Sequence, residues 1–180
     1  SELEIFHDQH TRLPGGITAR LMWKTKDGAV GLDVSPELRV QSSLLTYFRG
    51  CYRSANAFVD EEIKNPGGRV DVRIQRSSQL EKGKSVTTML ELKVLSPTRT
   101  QDWNLDWAMK SIDQAESYRT LDTDACFACI YDARKDKTDS MPTLAVRAAE
   151  ENVKLYKFPM TPPDSVPKVK KTPSTSKRAK

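Results

Sequence analysis

"GRVDVRIQRSSQLEKGKSVTTMLELKV", residues 68–94, decides how this chain is read. Val70, Val72 and Ile74 alternate with Arg69, Asp71, Arg73 and Gln75, the period of a half-buried strand. After a polar loop, "VTTMLELKVL" alternates again. Leu90, Leu92 and Val94 lie on one face, and Met89, Glu91, Lys93 and Leu95 on the other. Both apolar runs are interrupted by charge: Asp71 in the first, Glu91 and Lys93 in the second. Residues two apart on a strand share a face, so Glu91 and Lys93 project together. Antiparallel pairing across the loop brings Asp71 alongside them. Two carboxylates that close repel unless a proton or a cation lies between them. Mg²⁺ suits such a pair, because it binds one or two carboxylates and completes its shell with water and phosphate oxygens. A neighbouring lysine then orients water or neutralises charge on phosphate, and the set suffices to hydrolyse a phosphodiester.

Working outward, residues 17–34 alternate loosely around Lys26-Asp27-Gly28, which predicts a hairpin. Ser35, Pro36 and Glu37 suit the cap, first position and first turn of a helix. Leu38, Leu45, Phe48 and Tyr52 continue it to about residue 56. "AFVDEEIK" reads as a strand, and Asn65-Pro66-Gly67-Gly68 as a turn. Leu105, Ala108, Met109, Ile112 and Ala115 make a helical stripe within 103–120. "ACFACIYD" is apolar on both faces, as a central strand is, and a short helix and a last strand follow. The order is mixed α/β: a central sheet flanked by helices, preceded by an N-terminal hairpin.

The length of 180 residues predicts one domain, residues 1–158, with its core at about 36–132. Hydrophobic residues make up 37% and charged residues 29%, and the formal net charge is +5. Much of that excess sits in "KVKKTPSTSKRAK", six Lys/Arg without an acid, so 159–180 is expected to be a disordered basic tail. The body is then close to neutral, and charge permits a polyanionic partner without demonstrating one. Cys51, Cys126 and Cys129 are too few for a secreted disulfide framework, so a reducing, cytoplasmic location is expected. Cys126 and Cys129 read as core residues, and no membrane span is expected. His7 and His10 lack further ligands nearby, which argues against zinc.

The chain resembles the PD-(D/E)xK nuclease superfamily, with its restriction-endonuclease-like fold of αβββαβ core. The resemblance rests on Gly68-Arg69-Val70-Asp71, then Glu91-Leu92-Lys93 on an apolar strand, then a helix carrying Gln114-x-x-x-Tyr118. It covers about residues 36–132, and E-x-K alone would carry almost no information. It implies Asp71 and Glu91 as metal ligands, the Leu92 carbonyl as a further ligand, and Lys93 as the catalytic lysine. Mg²⁺ is the implied cofactor, with Mn²⁺ as a substitute. The recombination-nuclease branch of the family also uses a glutamine on the following helix, here Gln114. Trp107, Ser111, Gln114 and Tyr118 share one face of that helix and could overlook substrate. Arg69 and Arg73 could approach backbone phosphate. Many members add an acid from the first helix; Glu37 is early here, and Glu62 is the expected extra acid.

The resemblance thus implies a metal-dependent nuclease acting on nucleic acid, DNA first, as a monomer or a homodimer. Two other readings remain open. One is a catalytically silent nucleic-acid-binding domain, the other an assembly domain within a larger chain or complex. The charged trio could also be an exposed ion-pair cluster, worth only ~0–1 kcal/mol.

Overall fold

The computed structural model describes residues 1–53, 55–65, 68–78, 83–137 and 141–163. Helix α1 (Glu2–Phe6) runs on through a π-helical turn (His7–Thr11) and is followed by α2 (Ile17–Met22). Strands β1 (Trp23–Lys26) and β2 (Ala29–Leu32) form a separate hairpin, closed by Asp27 and Gly28, both at positive φ. Two consecutive positive φ values define the tight turn that matches strand twist, which is why Asp-Gly stands there. The hairpin is shorter than the alternation predicts. Residues 17–22 are helical because Ala19 and Met22, three apart, are both buried in the core that contains Val40, Leu44 and Phe48. Packing there overrides a loose period-two pattern.

Helix α3 (Pro36–Cys51) starts with Pro36 in its first turn, though the Ser35 hydroxyl makes no capping bond. Strands β3 (Ala57–Asn65), β4 (Gly68–Ser77) and β5 (Ser85–Leu95) form an antiparallel meander. Helix α4 (Gln101–Ser117) then crosses over to β6 (Thr123–Asp132), which lies parallel to β5. Helix α5 (Pro142–Glu150) leads to β7 (Lys154–Pro159), parallel to β6. The sheet is therefore five-stranded and mixed, in the order β3-β4-β5-β6-β7.

Two cores line its faces. Val40, Leu44, Leu45 and Phe48 of α3 pack with Leu90, Leu92, Val94, Cys129 and Tyr131. Ala108, Ile112 and Ala115 of α4, with Leu144 and Ala148 of α5, pack against Met89, Leu95, Cys126, Ala128 and Ile130. Cys126 and Cys129, both fully buried, thus face opposite sides of β6 and cannot share a metal ion. Val70 departs from the expected pattern: it joins the α4 core while Val72 and Ile74 join the α3 core. The side chains of β4 change face at Asp71, and the β4–β5 ladder ends just there, at Val72–Leu90.

The ordered chain also extends past the expected tail boundary at residue 159. Met160 is buried and its N–H bonds the Asp132 carbonyl, while Thr161 N–H bonds that of Arg12. The rest of the expected tail, 164–180, lies outside the described residues. Among the described residues, no helix is long and apolar enough to cross a membrane.

Candidate functional site

The end of the β4–β5 ladder is where the two sequence interruptions meet. Instead of pairing with a carbonyl of β4, the Leu92 N–H donates to the Asp71 carboxylate at 2.8 Å. The N–H and C=O of one strand residue leave on the same side. The Leu92 carbonyl therefore also faces the gap that β4 leaves. Gln41 on α3 holds the splayed strand by donating its side-chain N–H to the Asp71 carbonyl at 2.7 Å.

On the α4 side of β5, Glu91 and Lys93 are 1% and 6% exposed. The Lys93 ammonium donates to Glu91 Oε1. The other carboxylate oxygen lies 2.8 Å from the Tyr118 hydroxyl, which also sits 2.8 Å from the Arg69 carbonyl. A hydroxyl has one proton and a carbonyl only accepts. If Glu91 is protonated, it can donate to Tyr118, which donates to Arg69, and every partner is satisfied. If Glu91 is ionised, one hydroxyl proton is shared by two acceptors.

The electrostatics agree with that asymmetry. Burial, and then the Asp71 charge, push the Glu91 pKa up to about 7, against the pull of Lys93. Burial also raises the pKa of Asp71; the Leu92 N–H and Lys93 oppose this, and the Glu37 charge adds to it. Burial and the Glu91 charge keep the Tyr118 phenol protonated as a donor.

Glu37 is the residue that sequence reasoning passed over. From the first turn of α3 its Oε1 accepts from Val94 N–H at 3.1 Å and from the Trp107 indole at 2.9 Å. A signal existed. Glu37 and Gln41 are one turn apart on a helix whose neighbouring stripe is apolar, and both reach the same strand gap. Trp107 in turn lies under the Lys93 ammonium, 5.0 Å from the ring centre, and stacks on Trp103. Glu37, Gln41, Arg69, Asp71, Trp103 and Trp107 line one open cleft of about 730 Å³.

The remaining candidates fall as follows. Arg69 is exposed and lines the cleft. Arg73 donates to Asp60 across β3–β4 at 3.0 Å. Gln114 is solvent-exposed, and Tyr118, one turn on at the C-cap of α4, is the residue bonded to Glu91. Ser111 is buried and bonds its own helix. Residue 62 sits in β3 between Glu61, paired with Val72, and Ile63, paired with Val70, hence opposite Asp71. The Glu62 side chain lies outside the described residues.

A hard divalent ion is tested against this donor set on its chemistry. The donors are all oxygen, and Glu37, Asp71 and Glu91 supply three acids against the one ammonium of Lys93. Burial and mutual repulsion raise both central carboxylates, a penalty that a cation relieves. Against it, among the described residues no group of three or more His, Cys, Asp or Glu converges as a metal site. An ion at this gap would draw on Asp71, Glu91 and the Leu92 carbonyl, since Glu37 is engaged by Val94 N–H and the Trp107 indole.

A pH dependence follows. The unfolded Glu91 titrates near 4.5 and the folded one near 7. Between those values the folded chain binds the extra proton, so the contribution of this group is greatest at low pH and is lost as pH rises through 7. In chelator, Glu91 should cost about 3 kcal/mol between pH 4.5 and pH 8. Thermal unfolding of the parent and Glu91→Gln across that range checks it: the parent should lose stability relative to the variant as pH rises, and added Mg²⁺ should close the gap.

No protein-family model matches the chain, and no curated protein is significantly similar to it.

Proposed function

We propose that this chain is a metal-dependent nuclease of the restriction-endonuclease-like fold, hydrolysing phosphodiester bonds, with DNA as the first substrate to test. The observation that carries the reading is the strand gap at Asp71. One carboxylate takes over a backbone N–H there, beside a buried carboxylate–ammonium pair and under an open cleft. The finer fold assignment is supported by the order helix, antiparallel three-strand meander, helix, and a fourth strand parallel to the third. Ordinary ion-pair clusters sit on solvated faces, whereas Glu91 and Lys93 are almost dry and face a protein core.

In this reading Asp71, Glu91 and the Leu92 carbonyl hold Mg²⁺, or Mn²⁺ in its place. The bound ion neutralises phosphate charge and lowers the pKa of water. Glu91 must first give up its proton, which Lys93 favours and Asp71 resists. Lys93, held beside the Trp107 ring, would offer its protons to a phosphate oxygen and neutralise charge that develops there. Tyr118 holds Glu91 from behind and ties it to the backbone of β4. Gln41 and Glu37 hold the gap open from α3. Cleavage at limiting metal should accordingly rise with pH through about 7.

The test is a panel of labelled single- and double-stranded DNA and RNA incubated with Mg²⁺, Mn²⁺ or chelator, with Glu91→Gln as control. Product that needs metal and disappears in the variant supports the reading. Intact substrate under every condition sinks it. One observation favours a second reading, a silent nucleic-acid-binding or assembly domain: both Glu91 oxygens already have protein partners, and among the described residues no three acids converge. Binding in a gel shift without product in any metal would select it.

A further inference from the structure

The indole of Trp103 is 38% exposed on the rim of the cleft that contains Asp71. It stacks on Trp107 with ring centres 5.4 Å apart and planes 20° from parallel. Exposed Arg99 lays its guanidinium over Trp103 at 5.1 Å, and Lys93 lies 5.0 Å from Trp107. The result is a column of cation, ring, ring and cation that leads from the cleft rim to the Glu91–Lys93 pair.

Its outer end is held in place by buried structure. Asn104 is fully buried and clamps the loop that carries Arg99. Its Oδ1 accepts from Ser96 N–H at 2.8 Å, and its Nδ2 donates to the Ser96 carbonyl at 3.1 Å and the Thr100 carbonyl at 3.0 Å. Thr100 caps α4 by accepting from Trp103 N–H at 3.2 Å, so the backbone under the indole is fixed as well. A part-exposed aromatic ring, covered on its outer side only by an exposed guanidinium, is thus kept rigid beside a site read as phosphodiester-cleaving. That arrangement is unfavourable for stability and useful for a flat ligand.

We propose that Trp103 and Arg99 form a subsite for an unpaired nucleobase in the cleft that Asp71 lines, so that the preferred substrate is a single-stranded segment or frayed end rather than an intact duplex. The subsite deepens the nuclease reading and rests on it. Stacking of a base on an aromatic ring is worth more than an exposed guanidinium–ring contact, so the base displaces or sandwiches Arg99. The freed guanidinium fork then meets the adjacent backbone phosphate. Bases inside a duplex have both faces covered by neighbours; an unpaired base offers one. Two ring contacts, of 5.4 and 5.0 Å, separate the Trp103 ring from the Lys93 ammonium, so the stacked base lies further along the strand than the phosphate that Lys93 approaches.

The experiment measures anisotropy of labelled ~12-nucleotide probes in chelator. The probes are a single strand, its blunt duplex, and the same strand with abasic positions. DNA and RNA versions identify which polymer supplies the base. The single strand should bind about tenfold more tightly than both the duplex and the abasic strand. Trp103→Leu, which keeps apolar bulk at an exposed site, should erase that preference and leave the thermal midpoint in place. Equal binding of strand, duplex and abasic strand overturns the subsite, as does a preference that survives in Trp103→Leu. These arms contain no metal and read no product. A chain that binds as expected but never cuts loses the nuclease reading alone, and one that cuts without the base preference loses only the subsite.

Discussion

Lys93→Met is expected to cut at least about 10³-fold more slowly than the parent while its fold survives. The side chain is 8% exposed, so an unbranched residue of similar length fills the space. Removing the ammonium from beside an ionised Glu91 would ordinarily leave a costly buried charge. Glu91 escapes that cost by keeping its proton, since burial and Asp71 already push its pKa to about 7 and Lys93 is what holds it down. Stability near neutral pH should therefore barely move, while the carboxylate becomes harder to ionise. A structural role for Lys93 predicts the reverse: loss of thermal midpoint in step with activity. Lys93→Ala sharpens the contrast, because it leaves a hole that methylammonium can enter. Partial recovery of cleavage with added methylammonium, and none with added salt alone, is the expected result. A Lys93→Met protein that cuts at the parental rate refutes the assignment.

The second large effect separates two jobs proposed for one carboxylate. Asp71→Asn should also lose about 10³-fold in cleavage, because a neutral amide is a poor ligand for a hard cation. Its carbonyl oxygen still accepts the Leu92 N–H, so the sheet should hold. Asp71→Ala leaves that N–H without its partner in a part-buried gap, at about 1–3 kcal/mol. The pair should match in lost activity and differ in thermal midpoint. Either change removes the charge that raises Glu91, so Glu91 should titrate lower in both. If both variants cut normally, Asp71 serves the sheet alone.

How much of this was legible beforehand varies by physical cause. Alternation reports burial on two faces, and β4, β5 and the paired faces of the sheet follow from it directly. The helical stripe of α4 and the doubly apolar β6 were equally plain. The change of face at Asp71 was not, because Val70, Val72 and Ile74 read as one side whether or not the strand twists between them. Residues 17–22 misled for the opposite reason: Ile17, Ala19 and Leu21 mimic alternation, while the contacts that matter are those of Ala19 and Met22 in the α3 core. Glu37 was hidden by its own plausibility as a first-turn acid, a role that needs no partner in space. Its use emerges only when α3 is laid against the open end of β4. The Trp103–Trp107 column shows the same limit: a spacing of four predicts contact, but only the fold sets it beside Lys93.

The tie between the Leu92 amide and the Asp71 carboxylate also supplies a gauge of the site. An amide proton whose nitrogen lies 2.8 Å from a carboxylate oxygen is strongly deshielded, and its resonance must move whenever that carboxylate is neutralised, ligated or crowded. Labelling leucine nitrogens alone would therefore let NMR follow titration, ion capture and oligonucleotide arrival at one backbone position, without a single turnover.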